Sequence, residues 1–381
     1  MLLPDVDLAD PTLHASGQAH AVYRALRDAE PVSWRGTYWA ITRHADIVEV
    51  ASDPRRFSSA RGTGSVASVG ASPLRAIHLS DPPLHTELRA IFEASYGHGW
   101  IRALAGSVRQ EAEARIAGWS GTVDAVASLA DPLAFGVLER MLGEPLPALL
   151  PVIHRFARYD DARYRRADET PRACFEDAEH EVWRVLRTIV EARRAHPRDD
   201  VPSRMLADGR LETSDLLYAL RFIVQTTYLT TALAIAAGVV AVARERDQLR
   251  ALRDDGIGRA VEEILRWSTP VIRFGRHVTE DTELGAVRLE RGQRVVMLFP
   301  SANRDERVFR EPQRLDLTRA PNPHLAFGAG PHACLGAPLA RVQLAAVLAA
   351  LRDRELELVE PPRTFASSVN TGFDRVLVRI V

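Results

Sequence analysis

Apolar side chains recur at three- and four-residue spacing over residues 19–29, 88–94, 101–117, 182–195, 213–244, 256–267 and 338–354, a period that predicts helices. Strand signals are few and short: 32–41, 287–289, 294–298 and 375–381. Glu290, Arg291, Gly292 and Gln293, between two of these, read as the turn of a hairpin. Nothing repeats at a solenoid period, and no low-complexity linker interrupts the pattern. The expectation is a mainly α fold with a minor β region, a single domain over residues 1–381. Residues 58–72, rich in Gly, Ser and Ala, read as a surface loop. Residues 155–172, arginines and aspartates with two tyrosines, read as a second, a solvated charged face.

The uncharged run 222–243, bounded by Arg221 and Arg244, is long enough to span a bilayer. It carries Gln225, Tyr228, Thr226, Thr227, Thr230 and Thr231, which lower its transfer gain, so it reads as the central buried helix of an α-rich core. No membrane attachment is expected. Charge points the same way. The 49 basic and 50 acidic side chains leave a formal charge of −1, which excludes a generally basic nucleic-acid or membrane-surface binder. The chain has no lysine, so all 49 cations are arginines, the better residue for clamping carboxylates in two-pronged hydrogen bonds. Two cysteines, Cys174 and Cys334, cannot form a disulfide framework, and the first residues carry aspartates without a basic segment, so a cytoplasmic location is expected.

The segment 327–336, FGAGPHACLG, has neither the GxGxxG nor the GK[ST] pattern of a phosphate loop. It describes a cysteine held out on a tight loop before a helix. Gly328 and Gly330 permit sharp turns and close approach of a flat ligand, and Pro338 suits the first helical turn. Cys334 thus lies by a helix N-terminus, whose N–H groups favour a sulfur anion. Such a thiolate is a candidate haem iron ligand; the bland alternative is a small buried hydrophobe.

The stretch 324–341, HLAFGAGPHACLGAPLAR, resembles the haem-binding signature of the cytochrome P450 family in its soluble bacterial form, and the likeness runs from about residue 19 to the C-terminus. The resemblance implies a triangular helical prism with a small β-sheet region. It also implies haem b as cofactor, its iron held by the axial thiolate of Cys334, with Phe327, Gly328 and Gly336 shaping the loop around it. Glu263 and Arg266 fit the family's ExxR motif, and the resemblance adds Arg314 as a third member that fixes the cysteine loop. His85 and Arg89, four apart on one helix face, match with Arg276 and His332 the positions that bind the haem propionates. Two carboxylates entering a partly buried site need such donors.

In the same frame, residues 226–231 occupy the oxygen-activation motif of the long helix. Thr230 takes the place of its alcohol, with Thr227 and Thr231 beside it as further catalytic candidates, but Leu229 stands where an acid is expected. General acid assistance is worth on the order of 10²–10⁴-fold, and leucine cannot supply it. Water held by the threonines, an acidic or phenolic group on the substrate, or hydrogen abstraction and radical coupling without oxygen insertion would each answer the loss.

Arg273, Tyr228, Thr226 and Phe373 are the candidate substrate contacts. With the arginines and tyrosines of 155–172 they suit a polar, aromatic or peptide- or amino-acid-derived natural-product precursor. The implied activity is a haem-thiolate monooxygenase or oxidase of secondary metabolism, drawing electrons from a ferredoxin and its reductase that dock near Arg102 and Arg109. A coupling enzyme and a non-catalytic auxiliary relative are the alternatives.

Overall fold

A computed structural model describes residues 6–64, 75–252 and 256–381 of the chain. The fold is built around the helix Leu229–Arg244, in which every residue from 229 to 242 except Thr230 is buried. Its small side chains let neighbours approach closely: a β-carbon on Gly238 would come within 2.8 Å of Leu344 on the helix Ala337–Leu351. Each Val, Leu or Ile buried in this way contributes about 1.5–3 kcal/mol, so the apolar run is accounted for by core packing. Of its most apolar window, 78% is buried inside the fold.

The predicted continuous helix 213–244 is two helices, Thr213–Thr227 and Leu229–Arg244, meeting in a bend at Tyr228. The helices Leu84–Tyr96, His98–Ala117, Asp131–Leu142, Leu149–Ala157, Pro171–Ala195 and Ile257–Ser268 complete most of the helical body.

A five-stranded sheet runs in the order Val32–Trp34, Trp39–Ile41, Arg294–Leu298, Arg273–Val278 and Phe57–Ser58. The predicted strand 32–41 is therefore a hairpin, with Trp34 opposite Trp39. The helix Ala19–Ala29 covers the face carrying Val296 and Leu298, and the helix His44–Ser52 covers the face carrying Val295 and Met297.

The hairpin predicted across Glu290–Gln293 is not present. Val287–Leu289 pairs with Thr282–Leu284, while Arg294–Leu298 lies in the larger sheet, so those four residues turn the chain between sheets. The C-terminal run likewise divides: Phe373–Arg375 pairs with Arg363–Thr364, and Leu377–Ile380 lies between Thr122–Asp124 and Leu356–Leu358. The predicted loop 58–72 begins in the edge strand, and its residues 65–72 lie outside the described residues. The segment 155–172 is in part the solvated face expected, with Arg163, Arg166, Asp168 and Arg172 exposed, but Arg158 and Asp161 are buried beneath it.

Candidate functional site

Cys334 sits between a short turn, Gly330–His332, and the N-terminus of Ala337–Leu351. Gly328 and Gly330 take φ of 68° and 67°, where a side chain is strained, and a β-carbon on Gly330 would strike the carbonyl of Ala51. The loop therefore lies flush against the end of His44–Ser52. The Cys334 N–H donates to the carbonyl of Phe327 at 2.8 Å, and the N–H groups of Gly336 and Ala337 point at the sulfur. Cys334 is exposed toward a cavity of about 100 Å³ shared with Arg89, Tyr96, Ile101, Leu335 and Pro338, while protein encloses it elsewhere. Burial pushes the thiol above its ordinary range, against the opposing pull of those N–H groups, Arg89 and Arg341. Cys174 is a packed thiol, buried on Pro171–Ala195 with Sγ 3.8 Å from the carbonyl of Arg155.

A carboxylate that sequence reasoning missed fastens both flanks of this loop. Glu262 accepts from Arg341 at 2.7 and 2.8 Å and lies 3.0 Å from His324 Nε2. Burial alone would raise its carboxyl, but the bonds from Arg341 and His324 prevail and hold it at about 2. The Arg341 guanidinium also lies over the Phe327 ring, 4.6 Å from its centre. One residue on, Glu263 and Arg266 form a fully buried two-pronged pair at 2.7 and 2.8 Å. Arg266 donates further to the carbonyls of Asn303, Pro312 and Arg314. The expected third member, Arg314, contributes only that carbonyl; its side chain is exposed, 3.7 Å from Glu311. Arg319 takes the place instead, with Nε 3.0 Å from Glu263, which also accepts from Asn322.

Of the four residues expected at the propionates, His85, His332 and Arg276 are neighbours. The two imidazoles are 4.1 Å apart, and Ser59 Oγ is 3.2 Å from His332 Nε2. Burial, reinforced by Arg276 and His85, lowers His332 to about 3, and burial lowers Arg276 to about 10. Arg276 donates to the carbonyl of Gly275 and makes no ion pair among the described residues. Arg89 is placed differently. It donates to the carbonyls of Pro331 and Ala333 and pairs with Glu93, so it braces the cysteine loop directly.

On the long helix, Thr230 Oγ1 donates to the carbonyl of Thr226 at 3.0 Å, and Thr226 Oγ1 to that of Phe222 at 2.8 Å. Such back-bonding bends helices. Gln225 and Thr226 are exposed, Thr227 and Thr230 are half-buried, and Thr231 and Leu229 are buried. Thr231 is thus turned into the packing, away from the open face of Thr226 and Thr230. Beside that face, His78 stacks on Phe222 with ring centres 4.3 Å apart and planes within 5°.

Two predicted substrate contacts are overturned. Tyr228 is wholly buried, with its hydroxyl bonded to Asp131 and His154, each at 2.6 Å. Arg273 lies on the strand Arg273–Val278 three residues from Arg276, so alternation sends it to the opposite face. There it is buried, donating to the carbonyl of Leu8. Phe373 is half-buried against the core beside the long helix. The arginines of 155–172 are largely engaged: Arg155 with Glu169 and Asp177, Arg163 with Asp161 and Asp374.

A helical body with a glycine-turned cysteine loop at a helix N-terminus, a buried arginine beside two imidazoles and an open threonine face fits a haem-thiolate protein. Residues 258–363 match the family model Cytochrome P450. Over 410 residues the chain is 30% identical to a putative cytochrome P450 126 of Mycobacterium tuberculosis, covering 99% of this chain and 98% of that one. It is equally 30% identical to cytochrome P450 NovI of Streptomyces niveus, covering 99% and 97%. Among solved structures, a Mycobacterium marinum cytochrome P450 in complex with pseudoionone superimposes with a TM-score of 0.89 at 30% identity, covering 100% and 99%. P450 OxyD, involved in the biosynthesis of vancomycin-type antibiotics, gives 0.88 at 28%, covering 99% of each chain.

The chain belongs to the cytochrome P450 family, whose cofactor is haem b with an axial cysteine thiolate. The residues present fit that group. Cys334 offers an accessible sulfur under two N–H donors, and the buried Arg276, lacking an ion pair among the described residues, suits propionate carboxylates together with His85 and His332.

Proposed function

We propose that this cytochrome P450 oxidises a planar aromatic small molecule carrying hydrogen-bonding groups, of natural-product or amino-acid origin, with electrons from a ferredoxin-type partner. Cys334 would hold the haem iron, and His85, His332 and Arg276 its propionates. When bound, the haem supplies dioxygen activation; the chain's own residues bind, orient and handle protons. The observation that carries the substrate reading is the half-buried stacked pair of His78 and Phe222, one helical turn from the exposed Gln225 and Thr226, which puts aromatic rings next to polar groups. Such a surface receives an aromatic ring by offset or edge-to-face contact.

Thr230 can present its hydroxyl to a water while keeping its bond to the carbonyl of Thr226. Leu229 favours a second reading, oxidative coupling without oxygen insertion, since no acid stands beside Thr230 on that turn. A non-catalytic relative is disfavoured by the intact cysteine loop.

A carbon-monoxide difference spectrum tests the haem reading: a thiolate-type Soret band is expected, and its absence would sink it. Substrate-induced spin-state titrations should favour phenolic and aryl amino-acid ligands over saturated ones of equal size, and the reverse order overturns the aromatic reading. Product mass under ¹⁸O₂ separates insertion from coupling.

A further inference from the structure

We propose that Asp131 and His154 are positioning residues for the threonine face, acting through Tyr228 to hold the bend in the long helix. The proposal rests on the haem-thiolate reading above and concerns residues outside it.

Tyr228 lies at the bend, with φ −79° and ψ −65°, between helices that end at Thr227 and restart at Leu229. Successive helical residues turn by about 100°, so its side chain projects away from the face shared by Thr226 and Thr230. Two further helices converge on its hydroxyl. Asp131, at the start of Asp131–Leu142, accepts its proton at 2.6 Å, and His154, on Leu149–Ala157, lies at 2.6 Å through Nε2. His154 Nε2 is also 3.2 Å from the other oxygen of Asp131, which closes a three-membered clasp.

The ring is held as firmly as the hydroxyl. Phe135 meets it edge-on, with centres 6.0 Å apart and planes at 89°, while the His154 ring stacks at 5.8 Å. Asp131 is 6% exposed, and Arg158, 2% exposed, lies 4.0 Å from it. Arg158 continues to Tyr164, whose hydroxyl donates to Asp374 at 2.9 Å. A buried carboxylate penalises any movement that withdraws one of its donors. Displacing Tyr228 therefore leaves Asp131 short of a hydrogen bond, and the backbone turn that carries Thr226 on one side and Thr230 on the other is confined to one geometry.

Thr230's own back-bond makes a bend possible but does not choose its direction; the clasp does. Oriented groups misplaced by about 1 Å can lose on the order of 10²-fold in rate, so a remote clasp has leverage on the reaction.

Tyr228→Phe keeps the ring and deletes both bonds, and Asp131→Asn provides a second variant should the first fold poorly. In either, amide hydrogen exchange at residues 229–232 is expected to accelerate in protein with or without haem. The infrared stretching band of carbon monoxide on the reduced holoprotein should shift or broaden. With substrate, kcat should fall about tenfold or more while KM moves less than twofold. His154→Gln, which retains an N–H donor, should restore the wild-type band where His154→Leu does not.

Unchanged exchange and an unchanged band in Tyr228→Phe, with a thiolate-type Soret band present, would overturn the clasp and leave the haem reading standing. Should the wild type itself lack that band, the haem reading falls, and the exchange rates alone decide: faster supports the clasp, unchanged refutes it.

Discussion

Which arginine completes the network behind the cysteine loop is a question of single side chains. Glu263 and Arg266 are both fully buried, and breaking such a pair costs about 3–5 kcal/mol because it strands a charge. Arg319 supplies a further donor to the same carboxylate from a side chain only 9% exposed. Removing it leaves a buried acceptor short, a loss of about 1–3 kcal/mol. The Arg314–Glu311 pair is more than half exposed on both sides and is worth no more than about 0–1 kcal/mol. Urea unfolding should therefore rank Arg319→Ala well below Arg314→Ala in stability, with haem loss in the same order. Equal effects would contradict the placement. Glu263 and Arg266 were legible in the sequence because their spacing is local; choosing between two arginines of an irregular segment needs the path of that segment. The errors at Arg273 and Tyr228 differ, since the signal was present. Positions 273 and 276 on one strand cannot share a face, and position 228 cannot share one with 226 and 230.

At the scale of elements, each predicted helical segment is helical, because burial of an apolar stripe is written into each, but 213–244 is broken at Tyr228 and the helix expected over 182–195 begins at Pro171. Strand pairing was less legible: 287–289 and 294–298 were recognised as strands, but which sheet each joins depends on remote partners. The same distance hid Glu262, whose partners His324 and Arg341 lie 62 and 79 residues away. Glu262 fastens the helix Ile257–Ser268 to both ends of the cysteine loop, and this gives a pH signature. Its folded carboxyl is depressed to about 2 from an ordinary value near 4.5, so its contribution is complete above about pH 4.5 and is lost as pH falls toward 2. Glu262→Gln should destabilise the protein most near neutrality. The difference in unfolding free energy from wild type should narrow progressively below about pH 4.5. A constant difference from pH 7 to pH 3.5 would mean that the carboxylate charge contributes nothing to the staple.

For the whole molecule, the −1 balance means that any attraction for an acidic redox protein must come from local pattern. The helix His98–Ala117 offers one. Its first turn, through His98 and Ile101, borders the cavity that reaches Cys334, and Arg102 and Arg109 are exposed further along it. Arg109 is only loosely engaged, 3.9 Å from Glu113 with both side chains more than half exposed, so it is free to exchange partners at little cost. Absence of lysine sharpens the test, because every surface cation here is a guanidinium, which can bind a carboxylate through two parallel hydrogen bonds. Exposed charges are screened over roughly 10 Å at 0.1 M salt. Reduction by a ferredoxin, followed by stopped flow, should slow steeply between low and moderate ionic strength. Arg102→Glu with Arg109→Glu should lower the rate at low salt and flatten that dependence, whereas Arg172→Glu, on a different helix, should leave both unchanged. A rate indifferent to salt, or equally sensitive to Arg172→Glu, would place the docking surface elsewhere on the protein.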